Sequence, residues 1–200
     1  QFLLLHFLFV VEEKYILNTL KSVVNQTLKP TRWIIVDDGS LDKTKSLILS
    51  FIKDYDWIDL IENDTYDEVR LGGQKVVRAF NKGFKSLNSD YDFLVKLDGD
   101  IFLPKKYFAV VSSLFKKNPN LGLCGGVIFN KINTNFIKER PSTYHIRGAF
   151  KALKKECFED IGGFREIRNW DGVDELDAIR QGWKTHVFNL PVLHFKPTSS

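Results

Sequence analysis

The sequence predicts an α/β fold, a Rossmann-like, mostly parallel central sheet flanked by helices, built as a single domain over residues 1–200. Three observations predict it. Short apolar runs alternate with segments of helical period, the signature of strands separated by covering helices. Two of those runs end in paired acids and a third in an imidazole, as strands do when they deliver polar groups to one edge of a sheet. Finally, 200 residues with 44% hydrophobic content supply enough apolar surface for one substantial core.

The elements follow in order. FLLLHFLFVV is too short to cross a membrane, is interrupted by His6 and lacks a small-residue cleavage site, so it reads as a buried strand. Ile16, Leu20, Val23 and Val24 share one helical face, and Trp33-Ile34-Ile35-Val36 is the next strand. Leu47, Ile48, Phe51 and Ile52 mark a second helix, Ile58-Leu60-Ile61 a third strand, and Val76, Val77, Phe80 and Phe84 a third helix before the strand Phe93–Leu97. Leu121–Phe129 is a further strand, whereas the polar stretch 130–147 is expected to be loop. A helix near Lys154–Ile161 stops at Gly162-Gly163, another near Asp174–Gln181 stops at Gly182, and a last strand near Thr185–Val192 runs into His194.

Several classes are excluded. The chain has no P-loop, GxGxxG, GxSxG or HExxH motif, and Phe102 and Leu103 fall where a calcium loop needs a ligand and a glycine. Its four tryptophans are not interleaved with basic residues, so no nucleic-acid partner is expected. A net charge of +4 is mild and spread along the chain. Cys124 and Cys157 form no CxxC or disulfide framework, which suits a reducing, cytoplasmic compartment. The absence of methionine, position 1 included, is expected of a segment of a longer chain.

The chemistry concentrates at strand ends. Asp98-Gly99-Asp100 follows FLVKL directly, and two acids around one glycine can turn toward a common point. A hard divalent cation, Mn²⁺ or Mg²⁺, suits such oxygen ligands, and His194 could add an imidazole. The other reading is a plain surface turn, which Asp-Gly also favours. Asp37-Asp38-Gly39-Ser40 after WIIV either caps the following helix or offers a carboxylate to a nucleobase or ribose.

Together these residues resemble the family 2 glycosyltransferases, inverting enzymes of the GT-A fold that use nucleotide-diphospho-sugars. EEKYILNTLKSVVNQTLKPTRWIIVDDGSLDKT is similar to the family's opening block, KLDGD to its DxD metal motif, and IGGF with WDGVDELDAIRQGW to its acceptor-side block. The resemblance implies a nucleotide-binding half over about 1–100 and an acceptor-side half over about 101–200. It implies nucleotide-sugar contacts from Asp37, Asp38, Arg78, Asp98 and Gly99, and metal ligation by Asp98, Asp100 and His194. Asp174, with Glu175 beside it, is the implied catalytic base; Asp171, one helical turn earlier, could face the cleft with Asp174 but is expected to cap its helix. The implied partners are a UDP-, GDP- or dTDP-sugar donor and a glycan or lipid-linked acceptor, with room for peripheral association at the cytoplasmic face of a membrane. One departure stands out: Leu8–Val11 occupy the positions of the family's Pro-x-x-Asn and are expected to form an apolar strand end. The alternatives are a degenerate GT-A domain that binds a nucleotide or glycan without turnover, and a sugar nucleotidyltransferase. A glycoside hydrolase ranks below both, having no use for a DxD.

Overall fold

The computed structural model describes residues 2–8, 12–62, 73–86, 90–139 and 145–196. Its first half alternates as expected: β1 (Phe2–Leu8), α1 (Ile16–Val24), β2 (Arg32–Asp37), α2 (Thr44–Ile52), β3 (Ile58–Glu62), α3 (Gly73–Lys85) and β4 (Phe93–Asp98). There follow β5 (Ile101–Phe102), α4 (Tyr107–Lys117), β6 (Leu121–Ile132), β7 (Asn135–Lys138) and a 3-10 turn (Gly148–Phe150). The chain continues through β8 (Ala152–Lys154), α5 (Lys155–Asp160), α6 (Trp170–Arg180) and β9 (Lys184–His194).

The strands pair in the order β3-β2-β1-β4-β8-β6-β9-β5, with β7 added to β6. β2 and β4 read as continuous apolar runs because helices cover both faces of the sheet. The period of two sends alternate residues to opposite sides. Trp33 and Ile35 join the core beneath α1 and α4, while Ile34, Val36 and Leu94 pack with Val77 and Phe80 of α3. The predicted α/β class is what the structure has.

Three local expectations are refined. The parallel order holds from β3 through β4, but beyond β4 the sheet is mixed, since β8 runs antiparallel to both β4 and β6. The stretch expected to be loop contains the β6–β7 hairpin, with Ile132 opposite Asn135 and Asn133 at φ 55, a conformation asparagine tolerates. Polar composition hid it, because most of its side chains face solvent. Helix α6 begins at Trp170, four residues before the expected start; Gly172 weakens the helical signal there, and the buried Trp170 anchors the turn instead. The helix stops were right in kind: Gly162, Gly163 and Gly182 all have positive φ.

The topology positions the site. β1 lies between β2 and β4, and its register sets Leu8 against Asp37 and Phe7 against Asp98. Two acids therefore leave the sheet at the same edge, one strand apart. β8 is short and pairs only with Phe93, Leu94 and Val95 of β4. Past it the chain turns through Gly99 and crosses to β9, where Ile101 pairs with His194. The end of β4 and the end of β9 are thus joined over the gap that β8 leaves.

Candidate active site

That gap holds a cleft of about 270 Å³ lined by Lys96, Asp98, Asn130, Arg147, Asp171 and His194, among others, with Trp170 in its wall. Among described residues its width is maintained by close approaches. A Cβ on Gly148 would lie 2.9 Å from both Trp170 and Asp171, and one on Gly73 would lie 2.9 Å from Trp170. Glycine at both positions lets the first turn of α6 settle against the sheet edge.

The acid pair is held from several sides. Thr19 Oγ1 donates to the Gly99 carbonyl at 2.7 Å, so α1 fixes the turn. Asp100 is buried; its Oδ2 accepts the Lys196 N–H at 3.2 Å and lies 3.2 Å from His194 Nε2. His194 Nδ1 faces Asn130 Oδ1 at 3.0 Å, so the two ring nitrogens lie between an amide oxygen and the Asp100 carboxylate. Glu12 binds Lys196 at 2.9 Å behind this group, and burial raises its carboxyl to about 7.

Asp98 shares its face of β4 with Lys96 and forms an ion pair with it. Burial pushes the Asp98 carboxyl up, and the Lys96 charge opposes that shift. Lys96 is buried, its ammonium 5.5 Å from the Trp170 ring centroid. The strand pattern of apolar residues made this lysine easy to pass over. A lone cation inside a buried strand, two residues before an acid, was the available signal.

The acidic block of α6 divides. Asp171 lines the cleft. It is not the helix cap: Asn169 holds the N-cap position, at φ 56 and with no side-chain cap, and Asp171 sits in the first turn. Asp174 and Glu175 are buried and point to internal partners instead. Lys151, fully buried, donates to both Asp174 carboxylate oxygens at 2.8 and 2.9 Å and to the Asp171 carbonyl at 2.6 Å. It also lies 3.2 Å from Glu175 Oε1, which accepts the Ile146 N–H at 2.7 Å. Burial lifts Asp174 to about 7 against the pull of Lys151. His145 is raised by its hydrogen bond to Glu175. Neither Asp174 nor Glu175 lines the cleft.

The remaining expected residues lie outside the cleft lining. Asp37 accepts the Ser40 N–H and hydroxyl at 2.9 and 2.5 Å, closing a turn that needs Gly39 at φ 82. Ser40 therefore does not cap α2, whose N-cap position is Lys43 without a side-chain cap; Asp42, one residue earlier, accepts the Thr44 N–H at 3.0 Å. Asp38, half-buried, stands on the same turn. Arg78 is exposed on α3 and pairs with Glu166 at 3.2 Å. Of the Leu8–Val11 segment, Leu8 closes β1 and residues 9–11 lie outside the described residues.

The donor set fits a divalent cation in one specific way. Among the described residues, no three His, Cys, Asp or Glu side chains converge closely enough to hold one by themselves. Asp98, Asp100 and His194 nevertheless offer hard oxygens and an imidazole at one strand edge. Mg²⁺ and Mn²⁺ commonly take one or two protein carboxylates and complete the shell with phosphates and water. Such a site is finished by its ligand.

This fold, with acids at the carboxyl ends of parallel strands, is of the GT-A type, and the chain belongs to glycosyl transferase family 2, whose model matches residues 9–169. It is similar to the poly-β-1,6-N-acetyl-D-glucosamine synthase of Staphylococcus epidermidis, 29% identical over 202 residues, covering 90% of this chain and 45% of that protein. The Staphylococcus aureus (strain COL) synthase of the same name is 27% identical over 197 residues, covering 88% of this chain and 43% of that one. The chain thus spans less than half the length of these relatives. Among solved structures, S. aureus TarS 1–349 in complex with UDP-GlcNAc superposes with a TM-score of 0.74 at 14% identity, over 100% of this chain and 60% of that one. The Pyrobaculum calidifontis mannosyltransferase PcManGT with GDP-Man and Mn²⁺ gives 0.72 at 16% identity, over 99% of this chain and 58% of that one. GalNAc-T7 with UDP, GalNAc and Mn²⁺ gives 0.78 at 14% identity, over 98% and 43%. These likenesses establish the fold.

Proposed function

We propose that this chain transfers a sugar, with inversion, from a nucleotide-diphospho-sugar to a hydroxyl of a growing cell-surface polysaccharide. The observation that carries this reading is a single cleft bordered by Asp98 and His194, with Asp100 behind them, and also by Asp171. The turn of Asp37 and Asp38 lies at the same sheet edge and is the proposed seat of the base, so the first half serves the nucleotide and the second the acceptor. Asp98, Asp100 and His194 are the proposed holders of Mn²⁺ or Mg²⁺, which when bound supplies Lewis-acid neutralisation of the leaving diphosphate.

The base role is assigned to Asp171 rather than to Asp174 or Glu175. A general base must reach the acceptor hydroxyl within hydrogen-bond distance. Both Asp174 oxygens are engaged by Lys151 and both Glu175 oxygens by Ile146 and His145, whereas Asp171 lines the cleft. Arg147 and Asn130, also in the lining, are placed to select among sugars and acceptors. Arg78 is left a supporting place beside the nucleotide. UDP-GlcNAc, in keeping with the TarS complex and the synthases named above, is the first donor to try. Among the described residues no helix is long and apolar enough to cross a membrane; action at the cytoplasmic face is part of the proposal.

The experiment is a panel of UDP-, GDP- and dTDP-sugars assayed for Mn²⁺-dependent hydrolysis and transfer. Asp171→Asn is expected to keep donor affinity and lose roughly 10²–10⁴-fold in transfer, the usual contribution of a general base. Full transfer by Asp171→Asn together with loss in Asp174→Asn returns the role to Asp174.

A further inference from the structure

The cleft contains a cation of its own. Lys96 is 2% exposed, lines the cleft, and binds Asp98 as an ion pair on the same face of β4. Its backbone N–H is fixed to the Lys151 carbonyl at 2.8 Å, and the Trp170 ring lies 5.5 Å from its ammonium. The ammonium is thus held in the cleft wall between the Asp98 carboxylate and the Trp170 ring. A buried lysine needs a negative partner, and Asp98 supplies it here. Asp98 cannot give its full charge to Lys96 and to a divalent cation together. Nor do two cations share one carboxylate at close range without mutual repulsion.

We propose that Lys96 is a built-in counter-cation of the donor site: it occupies Asp98 in the nucleotide-free protein, weakens binding of a divalent cation by itself, and pairs with a donor diphosphate oxygen once that donor arrives. The inference rests on the nucleotide-sugar reading above and adds a consequence to it. Cation and donor bind together, because the incoming phosphate gives Lys96 the partner it yields to the metal. A lysine ammonium is a compact point charge suited to phosphate oxygen, and charge-assisted hydrogen bonds are about twice as strong as neutral ones. It also means that part of the diphosphate affinity survives without metal.

The test uses Lys96→Met, which keeps the apolar stem and removes the charge, and Lys96→Arg, which keeps the charge. Free Mn²⁺ is titrated by electron paramagnetic resonance with no nucleotide present, and UDP, GDP and uridine are titrated by calorimetry in EDTA. Lys96→Met is expected to bind Mn²⁺ about tenfold more tightly than wild type, since the competing charge is gone. In EDTA it is expected to bind UDP and GDP about tenfold more weakly with uridine unchanged, the size of one charge-assisted hydrogen bond. Lys96→Arg is expected to stay close to wild type in both titrations. Equal or weaker Mn²⁺ binding by Lys96→Met overturns the proposal, as does undiminished UDP binding in EDTA. If Lys96→Met does not fold, Lys96→Gln is read by the same criteria. A wild-type protein that binds no nucleoside diphosphate even with Mn²⁺ removes the donor-site reading, while the nucleotide-free Mn²⁺ titration still reads the competition at Asp98.

Discussion

Replacing Lys151 with methionine removes the buried cation that holds the acids of α6. The wild-type ammonium reaches four oxygens: the Asp171 carbonyl at 2.6 Å, Asp174 at 2.8 and 2.9 Å, and Glu175 at 3.2 Å. Methionine fills much of the same volume, so the cost is electrostatic rather than steric. Breaking one side of a buried ion pair costs about 3–5 kcal/mol, because the other charge stays buried without compensation. For a chain of this size that lowers the melting temperature by roughly 6–20 °C. The loss should depend on pH. Asp174 already sits near 7 with Lys151 present, so without it the carboxyl is protonated at pH 5.5 and must be forced to ionise, or be held neutral at a cost, at pH 8. Urea unfolding at the two pH values measures this. The single variant should be far weaker at pH 8, and adding Asp174→Leu should recover at least half of the loss. Equal destabilisation at both pH values, with no recovery in the double variant, would refute the reasoning.

Two further outcomes follow from the geometry. Gly148→Ala places a methyl 2.9 Å from Trp170 and Asp171; it should cost about 1–3 kcal/mol and reduce transfer more than nucleotide binding, read by thermal melting and by steady-state kinetics. Between pH 5.5 and 8 the wild-type protein should lose stability as pH rises. Asp174 and Glu12 both titrate near 7 when folded, up from 3.8 and 4.5, and His145 is also raised, so the folded state holds more protons than the unfolded one across that window. Each proton fully lost is worth about 1.4 kcal/mol per pH unit; Asp174→Asn should flatten the slope, and a urea midpoint that rises from pH 5.5 to 8 contradicts it.

Much of the site was legible because strand ends are legible. WIIV followed by Asp37-Asp38 and FLVKL followed by Asp98-Gly99-Asp100 announce buried strands that stop at carboxylates, and hydrophobic period alone places those acids at one sheet edge. The positions of His194 at the end of β9 and of the glycine helix stops were likewise local properties of the chain. Side-chain direction at the second half of the site was not. Asp171 and Asp174 lie one helical turn apart, and no pattern in WDGVDELD tells which faces the cleft. That was decided by Lys151, which directly precedes the short antiparallel strand β8 and engages Asp174, and by Gly148, which lets Trp170 and Asp171 approach the sheet. Lys96 and Lys151 are cross-strand neighbours on β4 and beside β8, and both pack against one tryptophan from a distant helix. Such partnerships join residues far apart in the chain through burial. A charged side chain inside a core takes its meaning from the counter-charge that folding brings to it, and only the tertiary structure supplies that partner.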